Sequence, residues 1–203
     1  MTDTHTEEVN VPEQNKPDGR LLRSERSRGL IIDAMIALVE EGFLIPTAQQ
    51  IAERADVGIR SVFRHFDDMD SIFETVNTIM LEETAPLFTG GDRTGTLDVR
   101  ILHAIEQLTH GYESAKNFVL SGRIRRWNTP VIEKNYAVNQ RRLQKELEDW
   151  IPEILTLSEN KKQSAYALAS FDYWHRLRVD QTVPQDSCIA IISSQLSQVF
   201  STQ

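Results

Sequence analysis

Apolar residues recur every three or four positions along most of the chain, the spacing of one helical face, and the fold class that follows is all-α. The first clear stripe is Ile31, Ile32, Met35, Leu38 and Val39. It predicts a helix beginning at Ser24 or Ser27 and ending at Gly42, where glycine supplies a left-handed cap. Thr47 can then cap a second helix of about two turns, its hydroxyl accepting from an orphan backbone N–H ahead of Ile51, Ala52 and Ala55. A corner is expected at Asp56, because aspartate enters the left-handed region more easily than most residues. Ala52 is small where two helices would cross, and Val57 and Val62 supply apolar contacts beneath a third helix. Asp67 or Asp68 caps a fourth, carrying Ile72, Phe73, Val76, Ile79 and Met80 and stopping near Pro86.

The segment 89–96, TGGDRTGT, reads as a loop. Beyond it Leu97, Ile101, Ala104, Ile105 and Leu108 open a helical pattern that continues to Trp127 and breaks at Asn128-Thr129-Pro130. Thr129 and Pro130 suit the start of a helix through Trp150. Most faces of that helix are charged, leaving Val131, Asn135, Val138, Arg142, Leu143 and Leu147 as the narrow stripe for a core. Thr156 and Glu159 fit a capping box, opening a helix through Asp180, and a last helix carries Ile189, Ile192, Leu196, Val199 and Phe200. Three segments result: an acidic tail at 1–19, a three-helix unit with its linking helix at 20–85, and a helical remainder at 86–203.

The two short helices meeting at Asp56 have the spacing of a helix-turn-helix. With Val62 and Phe66 turned inward, Arg60, Ser61 and Arg64 face outward, Arg60 and Arg64 as an i,i+4 pair. Such a face suits a DNA major groove, where arginine reads guanine O6 and N7 bidentately and serine meets base edges or phosphate. The competing reading is two solvated charges on a surface helix.

Residues 28–76 contain LIIDAMIALVEEGF, TAQQIAERADV and SVFRHFDDMDSIF. This combination resembles the tetracycline-repressor (TetR) family of bacterial transcriptional regulators, its last segment resembling the family's Thr-Leu-Tyr-x-His/Tyr-Phe-x-x-Lys-Glu signature. The resemblance implies an N-terminal DNA-binding domain and a C-terminal ligand-binding and dimerisation domain. The DNA-contacting candidates are Arg28, Thr47, Gln49, Gln50, Arg60, Ser61, Phe63, Arg64 and His65. Three positions depart from the pattern. Phe63 stands where the family usually has a tyrosine that would reach a phosphate, Met69 where a lysine commonly opens the fourth helix, and Asp56 where glycine is usual. Fewer phosphate contacts weaken sequence-independent affinity, so an all-α ligand-binding or scaffold protein with a weakened reader is the alternative.

The net charge of −8 argues, taken alone, against nucleic acid, but its distribution is uneven. The tail carries Asp3, Glu7, Glu8, Glu13 and Asp18 against Lys16, with no apolar periodicity, and is expected to be disordered. Arg20, Arg23, Arg26 and Arg28 follow, against Glu25, and could lie along phosphates or be a solvated helix start. Cys188 lies in an apolar run and reads as a buried, inert thiol. No membrane-length apolar run or signal segment is present, so a cytoplasmic protein is expected. Phosphate loops after strands, G-x-S-x-G elbows and HExxH motifs are missing, which leaves an enzyme without support.

The wide apolar face of the last two helices is more than one domain needs, so a partner is inferred. The resemblance implies the same: a homodimer through the last two helices, its reading helices one turn apart on a palindromic double-stranded operator, ~34–36 Å. It also implies a cavity for a small-molecule effector. His103, Gln107 and His110 share a face, with Phe118, Trp127, Phe171 and Trp174 as aromatic walls. A metal site from His103, Glu106 and His110 would span i, i+3, i+7 without a fourth ligand, and no metal or cofactor is assigned.

Overall fold

A computed structural model describes residues 19–201, and among these no strand occurs. The acidic tail expected at 1–19 lies, Gly19 aside, outside the described residues. Helix α1, Gly19–Glu40, starts earlier than either serine. Leucine and arginine are strong helix formers and carry this first stretch with Leu21 and Leu22 about half exposed, against no core. The helix closes on Gly42 at φ 98°, with Gly42 N–H donating to Val39 O and Phe43 N–H to Leu38 O, both at 3.0 Å. A side chain at that φ would be strained, which is the reason for glycine.

Helices α2, Ala48–Arg54, α3, Ile59–His65, and α4, Met69–Thr84, fold onto α1. Ile31, Met35, Ile51, Val62 and Ile72 are fully buried at the centre of this cluster. Asp68, rather than Asp67, caps α4, its carboxylate accepting from Ser71 N–H at 2.8 Å.

A 3₁₀ turn, Ala85–Phe88, and the 89–96 loop lead into α5, Leu97–Arg125, the spine of the second cluster. Around it pack α6, Pro130–Trp150, α7, Glu159–Leu168, α8, Phe171–His175, and α9, Gln185–Phe200. Three expectations fail here, and the basis of a fourth changes. On α6 it is Ile132 that is buried, while Val131 and Val138 are exposed, so the core face is displaced by one residue in the first half of the helix. Thr156 caps nothing; it ends a 3₁₀ turn, Pro152–Thr156, and bonds back to Glu153 O, with Ser158 preceding α7. The single helix expected through Asp180 is broken at Ala169–Ser170, where Ser170 caps α8, and α8 runs on as a wide π turn, Arg176–Asp180. Finally, Ile192 and Leu196 of α9 are spent within the chain, buried with Cys188 in the cluster around α5, so apolar area on α9 does not itself require a partner. Burial pushes the Cys188 thiol pKa up, as an inert thiol requires.

Candidate nucleic-acid interface and interior cavity

Thr47 and Gln50 form a reciprocal cap on α2: Gln50 N–H donates to Thr47 Oγ1 at 3.3 Å, and Thr47 N–H donates to Gln50 Oε1 at 2.9 Å. Gln49 Nε2 donates to Glu53 Oε1 at 2.6 Å. Three of the residues expected at DNA thus have bonds within α2, and Thr47 and Gln50 position the helix rather than lying idle. At the corner Asp56 adopts φ 51°, Asp56 N–H donates to Glu53 O at 3.3 Å, and Val57 N–H to Ala52 O at 3.0 Å. This left-handed cap turns the chain sharply enough for α3 to cross α2 over Ala52, which is 2% exposed.

Holding a non-glycine residue there costs of order 1 kcal/mol. Asp56→Gly is therefore expected to stabilise the protein by about 0.5–1 kcal/mol, the relief being partly offset by the freer unfolded chain. Thermal unfolding followed by circular dichroism should register a Tm roughly 1–4 °C higher; an unchanged or lower Tm would mean that the aspartate makes a compensating contact.

On α3, Val62 and the following Phe66 are buried, which sends Arg60 and Arg64 to solvent and leaves Ser61 and His65 at the edges. Neither guanidinium meets a carboxylate among the described residues. Ile59 and Phe63 lie beside them, also i,i+4, at 41% and 47% exposure. The face therefore alternates two cations with two apolar side chains. In a major groove the cations match guanine acceptors and the apolar groups match the thymine methyl, the one apolar group presented there. Arg28 does not stand clear: its guanidinium lies 4.8 Å from the Phe66 ring centroid, bracing α3 from α1. His65 is held below its ordinary pKa by burial first and then by Arg64 and Arg28, so it is neutral at neutral pH and adds no charge to the face.

Between α4, α5 and α6 lies a cavity of about 60 Å³. Phe118 and Phe171, expected as walls, do line it. Five other candidates do not. Trp127 is 73% exposed on the surface, and Trp174 is fully buried behind Tyr112 and Phe171 in an aromatic cluster. Gln107 Nε2 is tied to Leu87 O at 2.6 Å, His103 Nδ1 sits 3.2 Å from Asp92 O, and His110 is exposed. These three mark a face of α5 turned towards the 87–92 segment or solvent. Among the described residues no three His, Cys, Asp or Glu side chains gather as metal ligands would.

Besides Tyr112 and Arg123 of α5, the polar groups that reach the cavity come from helices not nominated by sequence: Asn77 and Thr84 of α4, and Tyr136, Asn139 and Gln140 of α6. Ile132, Tyr136, Asn139, Gln140 and Leu143 form an i, i+4, i+7, i+8, i+11 stripe, a helical signal one residue out of register with the expected one. Phe88 closes the top, lying so near α5 that a Cβ at Gly111 would stand 2.5 Å from its ring.

The cavity and the reader share structure. Ile132 and Phe118 line the cavity and also pack against the core of α1–α4. Ser121 Oγ donates to Leu44 O at 2.8 Å and Asn117 Nδ2 to Glu40 O at 2.9 Å, fastening α5 to the end of α1. Arg125 pairs with Asp70 at 2.5 Å and stacks 3.5 Å from the Phe73 centroid, fastening α5 to the start of α4.

Residues 31–76 match the family model described as bacterial regulatory proteins, tetR family. The whole fold is similar to that of a transcriptional regulator from Rhodococcus sp. RHA1, with 14% identity, 87% of this chain and 95% of that one covered, and a TM-score of 0.62. A TetR transcriptional regulator from the same organism shares 15% identity over 88% of this chain and 98% of its own, with a TM-score of 0.52. The multidrug binding protein EbrR, in complex with ethidium, shares 17% identity over 87% and 99% of the two chains, with a TM-score of 0.53. At these identities the likeness is one of fold. No curated protein sequence matches the chain as a relative.

Proposed function

The N-terminal module of this chain, residues 31–76, belongs to the tetR family of bacterial regulatory proteins, and from that premise we propose that the protein is a ligand-responsive, homodimeric transcriptional repressor. Arg60 and Arg64, outward on α3 and unpaired with any carboxylate among the described residues, carry the reading. A seven-residue helix spans about 10 Å and touches one half-site only, so specificity calls for two copies on an inverted repeat. We place the pairing on the last two helices, where Val179 is exposed and α9 turns Ala190, Ser194 and Gln198 to solvent. Small side chains let a second helix approach closely. No helix among the described residues is long and apolar enough to cross a membrane.

We place the division between reading and sensing units near residue 85, with the interior cavity as the effector site. EbrR, of the same fold, holds ethidium. A cavity of about 60 Å³ has room for roughly four waters, far from a drug-sized ligand. Binding therefore widens it, and the walls that move include Ile132, Phe118 and α4, which also set where the reader stands. A ligand that binds the widened form better shifts the population towards it, and the paired reading helices leave operator spacing.

Fluorescence anisotropy of duplexes from the DNA flanking its own gene tests this. At about 0.15 M salt one such duplex should bind at least 10³-fold tighter than random sequence, and random-sequence affinity should fall steeply with salt. Equal affinity for all duplexes would favour the alternative, a helical binding protein whose reader no longer reads.

A further inference from the structure

We infer that the cavity takes an uncharged or anionic apolar ligand bearing a hydrogen-bond acceptor, and discriminates against lipophilic cations. This rests on the cavity being the effector site. Among the seventeen residues that line it there is no aspartate, glutamate, lysine or histidine, and one charged side chain, Arg123. The carboxylate that pairs with Arg123 belongs to Asp172, which is not in the lining and whose side chain is 55% exposed. Arg123 is therefore the one formal charge in the lining itself, and its counter-ion stands outside the lining, half in water.

Aromatic walls can hold a cation without a carboxylate, through their ring faces. Here two of them already face one. The Arg126 guanidinium lies 4.1 Å from the Tyr136 ring centroid, and that of Arg123 lies 5.9 Å from Phe171. Both guanidiniums have carboxylate partners, Arg126 in Glu133 at 3.8 Å and Arg123 in Asp172. It is the guanidiniums that face the rings, however, so a second cation there would meet a like charge across the ring.

The uncharged polar groups favour an acceptor on the ligand. Asn77 Oδ1 accepts from Asn135 Nδ2 at 3.0 Å, which commits the oxygen and leaves the Asn77 NH₂ to donate. That nitrogen is on the Gly122 side, 3.3 Å from where a Cβ of Gly122 would stand, and both residues line the cavity. Asn139 and Gln140 add two more side-chain amides on α6, each able to donate as well as to accept. Donors, a guanidinium and apolar rings together fit a ring compound with a carbonyl, hydroxyl or carboxylate.

Three probes on one ring system separate charge from size: 2-naphthylmethanol, 2-naphthoate and (2-naphthylmethyl)trimethylammonium, titrated calorimetrically into the full chain. The alcohol and the carboxylate should bind at least ten-fold tighter than the ammonium. Asn139→Asp should narrow or reverse that order by putting a carboxylate on the wall, and Arg123→Gln should weaken the carboxylate selectively by about five-fold. An ammonium that binds wild type as well as the carboxylate, while Asn139→Asp still shifts the series, overturns the charge preference and leaves the cavity as a ligand site. No binding by any probe, or binding that neither substitution alters, overturns the effector site and the inference with it.

Discussion

Replacing Arg60 and Arg64 together by alanine is expected to lower operator affinity by at least about thirty-fold, because each bidentate contact to guanine contributes ~1–3 kcal/mol. Both side chains are exposed and neither meets a carboxylate among the described residues, so the melting temperature should stay within the scatter of ordinary surface substitutions, roughly 0.5 kcal/mol. The contrast between those two readouts is informative. Lost phosphate contacts would weaken all duplexes alike and reduce the salt slope, whereas lost base contacts collapse operator affinity towards that for random sequence. Phe63→Ala should act more weakly, and its effect should vanish on an operator carrying uracil for thymine, which lacks the methyl group. A double variant that binds its operator as wild type does would remove α3 from the interface.

Ile132→Ala is expected to cost about 2–4 kcal/mol of stability, in the lower part of the range for a buried isoleucine because the side chain borders existing space. Its 2% exposure and its place against the α1–α4 core make it the point where α6 anchors the reader. For a protein of this size the change corresponds to a Tm lower by roughly 5–15 °C. Val131→Ala, one residue earlier and 41% exposed, should shift Tm by no more than about 2 °C. Chemical denaturation of the two variants side by side checks this, and equal losses would mean that the start of α6 packs in the other register.

That pair of residues also marks where sequence reading stops. The reader was legible because its determinants are local: the Thr47 cap, the left-handed Asp56 and the 31–39 stripe each act within a few residues, and their spacing admits one arrangement. The early start of α1 was missed because it turns on helix propensity without burial, which leaves no apolar stripe to read, and Arg28 was missed because its contact with Phe66 is made in tertiary packing. The cavity was not legible, because it forms between three helices whose mutual rotation depends on tertiary packing. On α6 the abundance of charge left two apolar registers open, through Val131 and through Ile132, and the second one faces inward. On α5, His103, Gln107 and His110 share a face, but that face meets the 87–92 segment and solvent rather than α4 and α6. Trp127 ends up at the surface because α5 stops at Arg125, and Trp174 lies one layer behind the wall it was expected to form.

Selection of bound duplexes from a fully random pool, followed by sequencing, tests the reading of DNA by paired α3 helices most directly. Wild-type protein should enrich an inverted repeat with half-site centres about 10–10.5 base pairs apart, and the Arg60→Ala, Arg64→Ala protein should enrich none. A folded wild-type protein that returns the pool unchanged would contradict it.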